Sequence, residues 1–545
     1  MKRNIYIGIA FYILYLLVQI PSFQIVEAVL LLSVLVFVPT AYFLIHTTKR
    51  DGSPLLFHRL IVQFFPVAAG SAVITFLFDI AWLAFVWWLY GILLALFAVV
   101  KCLERGWRPL HELAIDSGFM YLSIGGFWMY ASVAQLEIMD FSREIVLLTA
   151  VHFHYSSFII PIVAGLLGRL LVNNRSVFNA MLVIIIVSPL TVAVGITYSR
   201  VIEWLAVCLY FISLYAYGYF VLTTPFRNRV AKGFVAVSAL ILLMTITFSL
   251  IYAYGRLQNS FTISIETMVW IHGVTNAVGV VLGALIGRRK KKTEVPYAYY
   301  GKKMSNIYGS MRIGPSFLKK KQLLSNEAYS GLVDEMKNYH SSHFDVNQLS
   351  PVIRNFYEQT ENYTMQAQVQ WSPWFSPFAR LYRLISKRTE QIHLGLNPNW
   401  QEIKGEIVAV SSEKDGREQV RAWIRKNEEE EIMFVALYSM HTYDGEVYMN
   451  IALPLPFSNM IGILRLENKQ NQLFITSSRA NNRKDEGIYL RFSKLTIALP
   501  LSETFSIEET GEGNLTADHQ MKLLGKGFLS IHYRQQKKEE QEVCL

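Results

Sequence analysis

Cysteine is nearly absent from this chain. Three occur in 545 residues, Cys102, Cys208 and Cys544, far apart and with no CxxC pair. That argues against a disulfide framework and against a thiolate zinc site. Charge is also scarce, at 17% Asp, Glu, Lys and Arg. The second half has no phosphate-cradling glycine loop and no HExxH run, which sets aside a P-loop, a Rossmann site or a zincin. No small-x-small cleavage site follows the first apolar stretch, whose exit reads Gln19-Ile20-Pro21-Ser22. Met1-Lys2-Arg3 and the apolar core behind it therefore read as a retained first span rather than a removed signal.

What is abundant is apolar sequence of membrane-spanning length. A helix rises about 1.5 Å per residue, so a hydrocarbon core of about 30 Å takes about 20 apolar residues. Ten stretches in the first ~290 residues qualify or nearly qualify: Ile5–Ile20, Gln24–Ile45, Leu60–Phe78, Ile80–Val100, Ser117–Leu136, Ile145–Gly168, Val177–Tyr198, Val201–Leu222, Gly233–Tyr254 and Thr267–Gly287. Charge supports an even count. With Met1 inside, the inner segments carry 18 Lys and Arg and the outer ones 3, namely Arg143, Arg200 and Arg256. Positive loops stay in the cytoplasm, so both termini are expected there. The net charge of +10 is confined to this half: residues 1–292 hold 21 basic and 11 acidic residues, and residues 293–545 hold 30 of each. The excess reads membrane topology and anionic lipid, and a basic nucleic-acid footprint is missing.

Composition changes at the run Arg288–Lys292. Residues 291–322 read as a basic, aromatic connector, 323–400 as a helical segment, 401–535 as a cytosolic β-rich domain and 536–545 as a polar tail. Asp444-Gly445 between two alternating runs predicts a hairpin, and the apolar set slips by one residue near Ser493-Lys494, predicting a bulge or tight turn. About eight strands suggest a small sandwich or open barrel. The segment from Phe378 to Arg388 is amphipathic, with Phe378, Leu381, Tyr382 and Ile385 on one face and four basic residues nearby. Packing on its own sheet is the expected role, and lying in the inner membrane interface is the alternative. The fold class is thus a polytopic α-helical membrane bundle of about ten spans followed by a soluble α+β, mainly antiparallel β, domain.

Ionisable groups inside a bilayer are costly and tend to face protein or a water-filled cavity. The densest run is Thr149-Ala150-Val151-His152-Phe153-His154-Tyr155. Residues i and i+2 lie about 200° apart on a helix, so at most one of His152 and His154 faces a given cavity. Tyr155, one turn after His152, can share its face. Nearer the end of the helical half, His272 and Asn276 at i, i+4 form one stripe with Gly279 and Gly283, a polar site above a small-residue packing surface. The charge-derived topology puts both sets in the outer half. The candidate ligand-binding residues are His152, His154, Tyr155, His272 and Asn276, with Gly279 and Gly283 for helix packing. Pro161 and Pro189 predict kinks of the kind that open cavities.

These two runs, the first with Pro161 six residues on and the second reading His272-Gly273-Val274-Thr275-Asn276-Ala277-Val278-Gly279, resemble the YndJ-like family of bacilli. The resemblance covers the membrane half. It implies a multi-pass protein of a bacterial cell membrane and supplies no substrate. Two function classes stand beside a purely structural role. One is a transporter or ligand sensor with an outer-half His/Asn pocket coupled to the cytosolic β domain. The other is an intramembrane enzyme using His152 or His154 with His272 on a metal or haem. The implied partners are the lipid bilayer and a small molecule or ion; cofactor and oligomeric state are left open.

Overall fold

The computed structural model describes residues 1–20, 24–45, 47–171, 176–226, 228–260, 263–282, 300–314, 316–396, 398–469, 471–479, 484–511 and 513–538. The chain divides into two compact units, one of residues 1–103 and 107–297, the other of 104–106 and 298–545.

The first unit is helical. Its helices are α1 (Lys2–Val18), α2 (Ile25–Leu44), α3 (His58–Phe78), α4 (Ala81–Arg105), α5 (Leu110–Val133), α6 (Arg143–Gly168), α7 (Ser176–Tyr198), α8 (Arg200–Thr223), α9 (Arg229–Gln258) and α10 (265–282). Local sequence explains several starts. Ser142, Ser199, Asn228 and Ser264 precede α6, α8, α9 and α10, and each side chain accepts from a first-turn amide, as helix N-termini require. Small residues let the helices approach closely. A Cβ on Gly118 of α5 would lie 2.5 Å from the Phe158 carbonyl oxygen of α6, and one on Gly165 of α6 would lie 2.3 Å from the His111 carbonyl oxygen of α5, so only glycine fits at either contact.

Seven of these helices, α2, α3, α4, α6, α7, α8 and α9, are long and apolar enough to cross a membrane. The polytopic bundle stands, but the expected ten spans exceed that number. Helix α1 is 17 residues long. Helix α5 begins seven residues before the expected Ser117 and brings in Glu112 and Asp116. Both are buried in ion pairs, Asp116 with Lys101 at 2.9 Å and Glu112 with Arg169 at 2.5 Å. Lys101 and Arg169 looked like loop charges because the sequence cannot show their partners.

Pro161 acts as expected. It lacks an amide hydrogen, and α6 is interrupted at residues 156–158, between Arg143–Tyr155 and Ile159–Gly168; the Ser157 amide reaches back to the His152 carbonyl at 3.1 Å. Pro189 lies inside α7. Two helices carry π-helical turns, Ser33–Phe37 in α2 and both Val269–Val274 and Asn276–Leu282 in α10.

The second unit is built on twelve strands: β1 (Tyr363–Trp371), β2 (Gln401–Ala409), β3 (Arg421–Lys426), β4 (Ile432–Tyr443), β5 (Glu446–Leu455), β6 (Ser458–Lys469), β7 (Gln472–Thr476), β8 (Gly487–Phe492), β9 (Leu495–Ala498), β10 (Leu501–Gly511), β11 (Asn514–Leu523) and β12 (Lys526–Lys537). The order β5-β4-β3-β2-β1-β12-β11-β10-β7-β6 returns to β5 through a β5–β6 pairing, so ten antiparallel strands close a barrel. The hairpin β8–β9 branches from β6, whose far edge is shared between β7 and β8. Asp444 and Gly445 both have positive φ, with Tyr443 opposite Glu446, the two-residue turn read from the sequence. The slip near Ser493 is the tight β8–β9 turn, with Ser493 at φ 49°.

Two corrections to the expected boundaries follow. Among its described residues the stretch 323–400, read as helical, contains as helix only α11 (Pro351–Glu358), α12 (Ser376–Thr389) and short 3-10 turns, and it contributes strand β1. The described part of the stretch read as a connector is a strap packed on the barrel. Met304, Ile307, Ile313, Phe317 and Leu318 form one core with Ala422, Ile424, Val435, Leu437 and Ile461 on the outside of β3, β4 and β6. Those strands are buried on both faces, so β4 reads as an unbroken apolar run and blurs the period-2 signal. The other core lines the barrel interior. Strand β12 runs into the stretch read as a polar tail, as far as Lys537, and Gly283, the run Arg288–Lys292 and Cys544 lie outside the described residues.

Candidate functional site

One of His152 and His154 was expected to lie near His272, and the structure brings His152 to it. His152 of α6 and His272 of α10 present their rings to each other, with centroids 6.4 Å apart and planes 25° from parallel. Both line a cavity of about 540 Å³ that also meets Tyr155, Ser156, Glu203, Tyr210, Arg256 and Asn276. Most of the remaining wall is aliphatic, as is usual for small-molecule sites of this size.

Hydrogen bonds settle how each imidazole is used. His152 Nδ1 faces the Leu148 carbonyl at 2.9 Å. His272 Nδ1 faces the Thr245 carbonyl at 3.2 Å and the Ser249 hydroxyl at 3.1 Å. A carbonyl accepts only, so in each neutral ring the proton is assigned to Nδ1 and Nε2 carries the lone pair. Among the described residues neither Nε2 has a protein partner. Asn276, one turn on, lies with Nδ2 at 3.4 Å from His272 Nδ1, and its Oδ1 accepts from the Thr245 hydroxyl at 2.7 Å. The π-helical turns place His272 and Asn276 on this wall, and such turns recur at functional sites.

His154 is not part of the cavity. Its Nδ1 faces the Ala150 carbonyl at 2.8 Å and its Nε2 accepts from the Trp87 indole at 3.0 Å. The residue is fully buried, and a Cβ on Gly125 would come within 2.8 Å of its ring. Both nitrogens are occupied, so His154 ties α6 to α4. Tyr155 borders the cavity, but its hydroxyl donates to the Val29 carbonyl at 2.7 Å, which leaves a packing role for the ring. Gly279 contacts α9: a Cβ there would meet Ile241 Cδ1 at 2.7 Å.

Several residues that line the cavity or bond its wall were not singled out from the sequence as part of one site. Thr245 and Ser249 of α9 anchor Asn276 and His272. Ser156, freed by the break before Pro161, bonds the Tyr210 hydroxyl of α8 at 2.9 Å. Glu203 of α8 pairs with Arg256 of α9 at 3.1 Å, and its Oε2 is buried without a hydrogen-bond partner among the described residues. Short hydroxyl residues are common in apolar helices, and only the fold selects these few. Among the described residues no group of three or more His, Cys, Asp or Glu side chains is arranged to hold a metal ion.

Residues 28–280 match the family described as YndJ-like protein. The uncharacterised membrane protein YndJ of Bacillus subtilis (strain 168) is 43% identical over 534 residues, 98% of each chain. The similarity therefore extends through the β-barrel unit, beyond the membrane half that the histidine runs mark. No solved structure matches the chain. On the strength of that identity and coverage, this chain belongs to the YndJ-like family of membrane proteins.

Proposed function

We propose that this protein is a membrane-embedded small-molecule binder, a transporter or sensor, whose ligand sits between α6, α8, α9 and α10. One observation carries the reading: His152 and His272, from separate helices, share one cavity wall with both Nε2 lone pairs unclaimed. Desolvating two such acceptors without a partner costs free energy, and a ligand that donates hydrogen bonds recovers it. The chemistry fits a largely apolar molecule bearing a hydroxyl or another hydrogen-bond donor, since the one carboxylate named on the wall, Glu203, is paired with Arg256. In the orientation implied by the 18-to-3 basic bias, the cavity lies in the outer half and both termini are cytoplasmic. The barrel unit is then cytosolic.

Native mass spectrometry of the full chain purified in mild detergent tests this. The wild type is expected to carry a ligand that His272→Ala loses and His154→Ala keeps. Equal retention in His272→Ala overturns the reading. Absorption and elemental analysis of the same sample address the second class, since the same two Nε2 atoms are what a metal ion or haem iron would take.

A further inference from the structure

The barrel has a cavity of its own, and its chemistry differs from that of the helical unit. Inward residues of the closed ten-stranded sheet enclose about 620 Å³, within the range of about 300–1,000 Å³ typical of ligand sites. Closed antiparallel barrels of similar size hold one small ligand in this way. The lining is aliphatic and aromatic with few polar exceptions, chiefly Arg425, Glu503, His519, Tyr438, Tyr533 and Gln535.

Arg425 is the anomaly. It lies on the inward face of β3, is 9% exposed, and lines the cavity. Its guanidinium lies 4.4 Å from the centre of the Trp423 ring and 4.2 Å from that of Phe434. Among the described residues it has no carboxylate partner, and its Nε makes no hydrogen bond. Glu503 is already taken by His519 Nε2 at 3.0 Å. Burying a guanidinium in an apolar enclosure is costly unless an anion joins it. Tyr533 bonds Arg425, and burial pushes the Tyr533 phenol upward and that of Tyr438 to about 12, so both remain neutral donors near the same charge.

The mouth indicates where such a ligand comes from. Phe378, Leu381 and Ile385 of α12 border the cavity and are nevertheless 54–62% exposed, with Leu384 at 68% beside them. The helix rests on the barrel through Ala379 and Ser386, and the apolar face expected to pack on the sheet lies instead at the open mouth of the cavity. Arg380, Arg383, Lys387 and Arg388 accompany it on the same helix. An exposed apolar face bordered by basic residues suits an anionic bilayer surface, and this chain is anchored in a bilayer by its other unit.

We propose that the barrel interior binds a single long acyl chain ending in a compact anion, taken from the membrane through the α12 mouth and held at its charged end by Arg425. The apolar chain fills the lined cavity, and the anionic head accepts from the guanidinium with the phenols of Tyr438 and Tyr533 nearby.

The test uses the full chain in phosphatidylcholine nanodiscs with a diazirine-bearing palmitate, and the labelled residues are read by mass spectrometry. Labels are expected on cavity-lining residues of β3, β4, β12 and α12, displaced by excess palmitate and at least tenfold less effectively by 1-hexadecanol. Comparing palmitate with monohexadecyl phosphate as competitor distinguishes a free fatty acid from a lysophospholipid source, and either anion displacing better than the alcohol supports the site. Arg425→Met is expected to lower barrel labelling at least tenfold and Arg425→Lys to retain most of it. Labelling confined to the transmembrane helices, or equal displacement by hexadecanol and palmitate, overturns the proposal. The competition uses the wild-type chain alone, so it decides the matter even where Arg425→Met misfolds. His272→Ala is expected to label normally, which separates this site from the helical one.

Discussion

His152 and His272 lie ring to ring on one cavity wall at a centroid separation of 6.4 Å, while His154, two residues from His152, points to Trp87 instead. A helix turns about 100° per residue, so neighbouring histidines serve opposite surfaces. One surface lines the cavity and the other is a helix–helix contact.

That division predicts different binding phenotypes. His154→Ala removes a buried bond between α6 and α4, and such membrane contacts are worth about 0.6–2 kcal/mol. Thermal unfolding in detergent should show that loss with the co-purified ligand retained. His272→Ala also loses its bonds to Thr245 and Ser249 of α9 and should be destabilised by a similar amount, but unlike His154→Ala it should abolish binding. Matching ligand retention in the two variants would refute the assignment.

Proximity is testable directly. In a background with the three native cysteines replaced, His152→Cys with His272→Cys should crosslink with a short bifunctional thiol reagent. The combination His154→Cys with His272→Cys should not, because the His154 ring is directed at Trp87. Efficient crosslinking of the second pair alone would reverse the roles.

Topology reporters placed after Arg50, Lys232 and Lys292 should all read cytoplasmic, and one after Asp140 should read outside, as the basic bias requires. An outside signal at Lys292 would mean an odd number of crossings. It would also move the barrel to the other side of the membrane.

The second unit has two cores of its own, so residues 300–545 expressed alone should give a β-dominated circular dichroism spectrum and a cooperative melt. Within it, Arg417 is buried and bonds Asp415 at 2.6 Å and the Asn450 carbonyl at 2.8 Å. Arg417→Ala leaves Asp415 as an uncompensated buried charge, a loss of about 3–5 kcal/mol. A midpoint within a degree of wild type would show that Asp415 finds other support.

The same fragment should lose stability on mild acidification. Burial holds the His393 imidazole below its usual value, Glu431 opposing and Arg383 and Lys387 reinforcing the shift. A base with a depressed folded pKa contributes fully above its unfolded value of 6.5, and the contribution is lost as pH falls toward the folded value. The melting midpoint should therefore drop from pH 7.5 to 5.5, and His393→Gln should flatten that dependence. An unchanged slope in the variant would assign the effect to other groups.

Apolar length, basic asymmetry and turn chemistry are local properties, and each was legible residue by residue. They yielded the polytopic helical half, the Pro161 break, the Asp444-Gly445 hairpin and the antiparallel character of the second unit. Pairing is not local. Lys101 with Asp116, Arg169 with Glu112 and Arg256 with Glu203 look like boundary charges until the helices are packed. Whether His152 or His154 meets His272 depends on helix rotation, which a two-residue spacing leaves undecided. Closure of the barrel depends on the pairing of β5 with β6, and Arg425 reads as one more alternating strand residue until that closure turns its side chain inward. Sequence therefore determined which segments are helix, strand and membrane. Only tertiary structure decided which polar atoms are left unpartnered, because that is a property of the neighbours each side chain finally meets.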